Sequence, residues 1–394
     1  MSRSAAADLL FFAGILFGAA LLVLGGFVEL RAARYVDAND FAGIWAGPRA
    51  FLDGHDPYDA SAWRDVARTY QRQVPETAVY GYPGHIPLLL APLALVPLPV
   101  ASLIWTLGGM ALAALALRAL LRAYVPAQPA IALLAGLVLS GSHPALLAFY
   151  DGQWSFLLVA LFAAGALALR ARRARSAGLA FAAVALAKPQ LLLVSAAGLA
   201  RAALRRGLGR ALAWSAGAIA LALAASLALL PRWPAAYVEH VLAARVPATP
   251  RATALPTALL DLFGAPGLWA GAALVIVAAA VALAFDPRGD AAVAMWLTVG
   301  LAAAPYTWSY DQLVLVVPLV VACGVLARRS PRAAFLLAAA AAALLTVGAT
   351  LLHGLYGDLR ASESYNGLIP ALFALLVTAL LWPDRRAGRR LAGP

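Results

Sequence analysis

Ten runs of about 15 to 22 apolar residues, each closed by polar residues, recur along this chain, and roughly 20 such residues are what a helix needs to cross the hydrocarbon core of a bilayer. Of its 394 residues 63% are hydrophobic and 12% charged, against about a quarter charged in a soluble protein. A water-soluble globule is excluded, and the chain reads as an all-α polytopic membrane protein forming one domain over residues 1–394. The runs fall near Leu9–Val28, Ala101–Leu121, Pro129–Leu147, Ser155–Leu169, Ala211–Leu230, Leu268–Phe285, Ala291–Ala304, Leu313–Leu326, Ala333–Leu352 and Leu368–Leu381. The first has flanks unlike a signal peptide and is read as a retained helix. Two long polar stretches interrupt the pattern, residues 29–84 and 231–266, and the proline-punctuated piece Ile86–Val96 reads as interfacial or half-buried. The one cysteine, Cys323, lies in an apolar run and leaves no disulfide and no thiolate zinc site.

Ala177–Ala200 is bounded by Arg170, Arg172, Arg173 and Arg175 on one side and by Arg201, Arg205, Arg206 and Arg210 on the other. Both clusters belong on the cytoplasmic face under the positive-inside rule. The segment must then cross an even number of times, and it is too short for two full crossings. A short helical hairpin with Lys188 and Pro189 at its apex meets both demands, its irregular backbone requiring protein or a wet cavity beside it. On this map the cytoplasmic loops hold 19 arginines against 4 acids, and the opposite side holds 10 arginines and Lys188 against 14 acids. The net charge of +12 is thus a topology signal and gives no nucleic-acid partner. The expected protein is a bundle of about 10–12 crossings including the hairpin. It lies in the cytoplasmic (inner) membrane with both termini cytoplasmic and its first long loop, residues 29–84, outside.

This orientation collects the unusual polar residues on the outer face. No Walker loop and no dinucleotide fingerprint occurs, so an enzyme of this design would draw on a lipid-linked donor. Asp40 precedes Phe41, Ile44 and Trp45. Held against apolar surface, its carboxylate would be desolvated and made basic enough for proton abstraction; the other reading is a helix N-cap. Asp37, Asp53, Asp56 and Asp59 read as solvated loop or cap residues, with Asp56-Pro57-Tyr58 a turn. Lys188 is the only lysine among 30 basic residues. An ammonium within an apolar hairpin is costly unless it snorkels or meets an anion, which makes a phosphate partner the functional reading. His143 through Gln153 and Pro305 through Gln312 read as polar turns joining spans; Asp151 reads as a cap there, and the aromatic residues of the second turn read as sugar-stacking or as interfacial belt. The five histidines show no metal-site spacing, and no metal is expected.

The run Asp40-Phe41-Ala42-Gly43-Ile44-Trp45, then Gly54-His55-Asp56-Pro57-Tyr58, then Tyr80-Gly81-Tyr82-Pro83 leading to Pro87 and Ala91-Pro92-Leu93 resembles the first outer loop of glycosyltransferase family 87. That family is the polyprenyl-phosphate-sugar-dependent, mannosyltransferase-like branch of the GT-C superfamily. Asp151-Gly152-Gln153, Ala177-Gly178, Ala187-Lys188-Pro189, and Pro305 with Trp308, Tyr310 and Asp311 before Pro318 follow in the same order, so the resemblance spans most of the chain. It departs after the tryptophan motif, where related enzymes often carry histidine and this chain has Tyr310 and Asp311.

The resemblance implies a GT-C-type bundle with its catalytic cavity at the outer face and Asp40 as catalytic base. Lys188 and Arg49 would meet the donor phosphate. Trp45, Tyr82, His85, Asp151, Gln153, Gln190, Trp308, Tyr310 and Asp311 would line the sugar and acceptor pocket. The implied reaction is inverting transfer of mannose or another hexose, with arabinofuranose an open option, from a polyprenyl-phosphate sugar to a glycolipid or cell-envelope glycan. No cofactor is implied beyond the lipid-linked donor. The competing class is a transporter or lipid-linked-glycan carrier, which needs access from both faces and ionisable groups near the midplane.

Overall fold

The computed structural model describes residues 3–31, 40–69, 74, 76, 78–242, 253–285, 288–304, 306–355 and 364–381; Asp37 and Pro305 lie outside them. Its elements are helical throughout, and among the described residues six helices are long and apolar enough to cross a membrane. The protein is an all-α polytopic membrane protein.

α1 (Arg3–Arg31), α5 (Leu98–Tyr124) and α8 (Ser155–Arg170) follow three of the apolar runs closely. The run beginning at Pro129 is two helices, α6 (Pro129–Gly141) and α7 (His143–Tyr150). Extended backbone at Ser142 bends the chain, and its hydroxyl accepts from Ala145 N, which restarts the helix with Pro144 in its first turn. His143–Tyr150 is therefore helix where the sequence reads as a turn. The turn itself is confined to Asp151–Gln153, where Gly152 supplies a φ of 61°.

α1 and α6 approach backbone to backbone. A Cβ on Gly136 would lie 2.3 Å from Phe11 O, and one on Gly14 would lie 2.3 Å from Leu133 O. Lipid offers no hydrophobic force to join helices, so close packing through small residues does the work. Ser140 Oγ adds a bond to Ile15 O at 3.0 Å. Gly136→Ala should therefore destabilise the protein by about 1–3 kcal/mol, read as a lower thermal unfolding midpoint in detergent. An unchanged midpoint would show the seam to be compliant.

Two carboxylates tie the arginine-bearing helix ends together. Asp8 on α1 pairs with Arg118 at 2.9 Å and with Arg122, both on α5. Asp290, in the first turn of the helix Gly289–Ala302, meets Arg170 at 3.1 Å, Arg206 at 3.0 Å and Arg328 at 3.4 Å. Arg170 also lies 4.2 Å over the Tyr124 ring, so the two hubs share one end of the bundle.

The expected hairpin is present. α9 (Ala174–Ala187) leads from the arginine end to Lys188, a 3₁₀ turn (Pro189–Leu191) reverses the chain, and α10 (Ser195–Arg205) returns. Fourteen residues place Lys188 about 21 Å from where α9 begins. α11 (Gly209–Leu229) then runs away from the arginine end again, followed by the short α12 (Trp233–Ala236), α13 (Leu255–Phe263) and α14 (Ala265–Phe285). α15 (Gly289–Ala302) and α16 (Val316–Ala327) are apolar all round and almost wholly buried, the centre of the core. α17 (Pro331–Ala343), α18 (Ala349–Leu355) and α19 (Leu368–Leu381) complete the chain.

The stretch 29–84, read from its polarity as a loop, carries α2 (Asp40–Leu52) and α3 (Ala60–Arg68), and α4 (His85–Ala94) follows as the expected short apolar piece. Asp59 caps α3, accepting from Ser61 Oγ, Ala62 N and Ser61 N, and these bonds, that of the Ser61 hydroxyl foremost, hold its carboxyl below the usual range. Asp56 accepts from Tyr58 N at 2.9 Å, the expected turn. Ala46, Tyr58, Trp63, Ala67 and Tyr80 form a small core of their own, joined to the tip of α11 by Leu230. Its members from Ala46 to Tyr80 are spread over 35 positions, which is why polarity hid it.

Candidate active site

Two hydrogen-bonded pairs mark the end of the bundle opposite the arginine hubs. Gln153 Nε2 donates to Asp40 Oδ2 at 2.5 Å. Lys188 Nζ donates to Asp311 Oδ1 at 2.6 Å, with the two side chains 9% and 1% exposed. Tyr310 joins them. Its ring lies 4.5 Å from Lys188 Nζ, and its phenol interacts electrostatically with Asp40, Asp311 and Tyr82.

Local structure explains each placement. Asp40 opens α2, whose entry is pinned by Phe41 N donating to Asp151 O at 3.1 Å. The Asp151–Gln153 turn is held in turn by Trp105 Nε1 donating to Gly152 O at 2.8 Å. Gln153 is thereby aimed at Asp40. The carboxylate is exposed, so the burial expected to desolvate it is not supplied by the chain; what the chain supplies is orientation, from an amide fixed by its own turn.

Asp311 belongs to a 3₁₀ helix, Ser309–Leu315, that is buried along its length and runs straight into α16. This corrects the reading of this stretch as a polar turn: from Ser309 on it is buried helix. Asp311 Oδ2 accepts from Trp308 N at 3.1 Å while Oδ1 holds Lys188, so one carboxylate both caps the helix and compensates the ammonium. Asn366 Nδ2 donates to Ser309 Oγ at 2.7 Å, Gln312 Nε2 donates to Asn366 O at 2.7 Å, and Thr307 pairs with Thr253 through both backbone and hydroxyl. Residues distant in the chain thus make the Lys188–Asp311 platform rigid.

The remaining expected residues divide. Tyr82 lies between Tyr80, 5.7 Å away, and Trp154, 6.4 Å away; Trp154 meets Trp105 at 4.7 Å, and Trp105 stacks on Phe41. This aromatic strip runs from α2 to α8 beside both pairs. His85 donates from Nε2 to Leu186 O at 2.7 Å, two residues before Lys188, and burial lowers its pKa against the opposing pull of that bond. Trp308 donates from Nε1 to Tyr306 OH at 2.8 Å. Asp151 contributes its carbonyl, as above, and Gln190 is half-buried in the turn after Lys188. Arg49 makes a bidentate pair with Asp53 four residues on, at 2.8 and 3.0 Å. One expectation, that for Trp45, needs correcting. Trp45 is 2% exposed within the core and offers no face to a sugar. Trp105 and Trp154 were missed by sequence reading, although Trp154 directly follows Gln153.

Gln153 Oε1, Trp154 Nε1, Ser155 Oγ and His85 Nδ1 are buried polar atoms with no protein partner. Such atoms are rare in native proteins unless a ligand or water meets them. His143 and His353 also come together, their ring centroids 4.7 Å apart. Among the described residues no three His, Cys, Asp or Glu side chains gather to hold a metal.

The family model for glycosyltransferase family 87 matches residues 80–305, more than half of the chain. The chain belongs to glycosyltransferase family 87. No curated protein and no solved structure matches it. As a family 87 member with membrane-crossing helices it is a membrane glycosyltransferase. The matched region contains Tyr82, His85, Asp151, Gln153 and Lys188, while Asp40 precedes it and Trp308, Tyr310 and Asp311 follow it. The contacts of this family 87 chain therefore draw residues from outside the matched region onto its two ends.

Proposed function

We propose that this protein transfers a hexose, with arabinofuranose an open alternative, from a polyprenyl-phosphate donor to a lipid-linked or cell-envelope acceptor, at the extracytoplasmic face of the inner membrane. The observation that carries this reading is an oriented, accessible carboxylate and a buried ammonium that both lie within electrostatic range of Tyr310. Asp40 takes the proton from the acceptor hydroxyl as the oxygen attacks the anomeric carbon. The bond from that carbon to the phosphate oxygen breaks, and Lys188 neutralises charge gathering on the departing polyprenyl phosphate. A phosphate bound to a lipid reaches this site without any nucleotide pocket. Asp40 becomes desolvated only when donor and acceptor close over it, which couples basicity to occupancy.

The carrier alternative is disfavoured by the gathering of these groups at one end and by membership of a family of transferases. One-step displacement predicts inversion at the anomeric carbon. Proton NMR of the product formed from a polyprenyl-phosphate sugar of known configuration checks it: inverted coupling supports the mechanism, and retained configuration would overturn Asp40 as base.

A further inference from the structure

The two arms of the hairpin stand apart. Between α9 and α10, closed behind by α11 and the end of α8, lies a cavity of about 240 Å³. Phe181 and Ala185 face it from α9, Leu199 and Ala200 from α10, Leu212 and Ile219 from α11. Its one lining hydroxyl, Ser215, is spent on Gly178 O at 2.7 Å. A cavity so lined does not hold water, and within a membrane it is filled by a hydrocarbon chain.

The charge at its mouth says which kind. α9 and α11 begin side by side: a Cβ on Gly178 would lie 2.3 Å from Ala211 O, and Arg175 lies 5.0 Å over the Trp214 ring. Neither helix has an acid in its first turn or a side-chain cap, so the positive ends of both dipoles are uncompensated. The nearby Arg170 and Arg206 are taken by Asp290, and Arg172 donates to Arg206 O. Arg173, Arg175 and Arg210 are exposed and have no carboxylate partner among the described residues.

We propose that this cavity holds an acyl chain of an anionic phospholipid whose phosphate rests on Arg173, Arg175 and Arg210. Basic pockets between membrane helices bind such headgroups by the same combination of charge and apolar depth. The lipid would prop α9 away from α10 and so fix the hairpin that carries Lys188. The donor is a different ligand, because its phosphate partner is at the far end of α9. This site goes beyond sugar transfer and stands or falls without it.

Native mass spectrometry of the purified full chain, titrated with dioleoylphosphatidylglycerol, dioleoylphosphatidylcholine or a polyprenyl phosphate, tests the proposal. Phosphatidylglycerol should bind more than tenfold tighter than phosphatidylcholine. The triple change Arg173→Gln, Arg175→Gln, Arg210→Gln should weaken it about 100-fold at low salt. Ala196→Phe with Ala200→Phe, filling the cavity with the arginines intact, should remove the binding. Equal affinity for phosphatidylcholine, preference for the polyprenyl phosphate, or wild-type binding in either variant would overturn it. Should a variant fail to fold, the wild-type protein still decides: binding that does not weaken as ionic strength rises contradicts a phosphate held by exposed arginines.

Discussion

Asp40→Asn should lower the transfer rate about 1,000-fold, within the roughly 10²–10⁴-fold range that removal of a general base costs, while the protein folds and takes up donor as before. The substitution is isosteric, Asp40 is exposed at a helix start, and an asparagine oxygen can still accept from Gln153 Nε2. What is lost is the ability to take a proton. The rate constant at saturating donor should carry the loss and the donor KM should move little, because no binding contact common to ground and transition states is removed. Initial rates in proteoliposomes measure both. Retention of more than a tenth of wild-type rate would remove Asp40 from the chemistry and leave it as the cap of α2.

Lys188→Met should cost about 10²–10³-fold in rate, and it should also destabilise the fold. The lysine side chain is 9% exposed, and its ammonium lies 2.6 Å from a carboxylate whose side chain is 1% exposed, and stripping one partner from a buried pair costs about 3–5 kcal/mol. The single variant therefore confounds two effects. Lys188→Met with Asp311→Asn separates them, because a neutral amide leaves no stranded charge and still accepts from Trp308 N. The double variant should regain most of the lost thermal midpoint and none of the lost rate. Recovery of transfer along with stability would reduce the pair to a structural pin.

The architecture was legible because bilayer thickness imposes run length and arginine placement imposes direction, and both are written residue by residue. The hairpin at Lys188 followed from those two constraints alone. Asp40 and Lys188 could be singled out by their isolation in apolar surroundings. Gln153 and Asp311 were expected in the pocket, but the pairings were not legible: Gln153 reaches Asp40 across 113 positions and Asp311 reaches Lys188 across 123, and no local pattern encodes contacts of that range. The partner of Arg49 is Asp53, one helical turn away, a local i,i+4 pair that the spacing alone already offers. The helices of residues 40–68 were hidden because their core draws on aromatic residues scattered between Ala46 and Tyr80 and closed by Leu230.

The central claim is that a lipid phosphate departs at the Lys188 pair while Asp40 takes the acceptor proton. Release of polyprenyl phosphate tests it most directly, followed by mass spectrometry with purified protein in bilayers supplied with polyprenyl-phosphate mannose or arabinofuranose, acceptor lipid extract, or nucleotide sugars in their place. Wild-type protein should release polyprenyl phosphate only when acceptor is present and should leave the nucleotide sugars intact, and Asp40→Asn should bind the donor but release almost none. Consumption of a nucleotide sugar, or release by Asp40→Asn at the wild-type rate, would contradict the account.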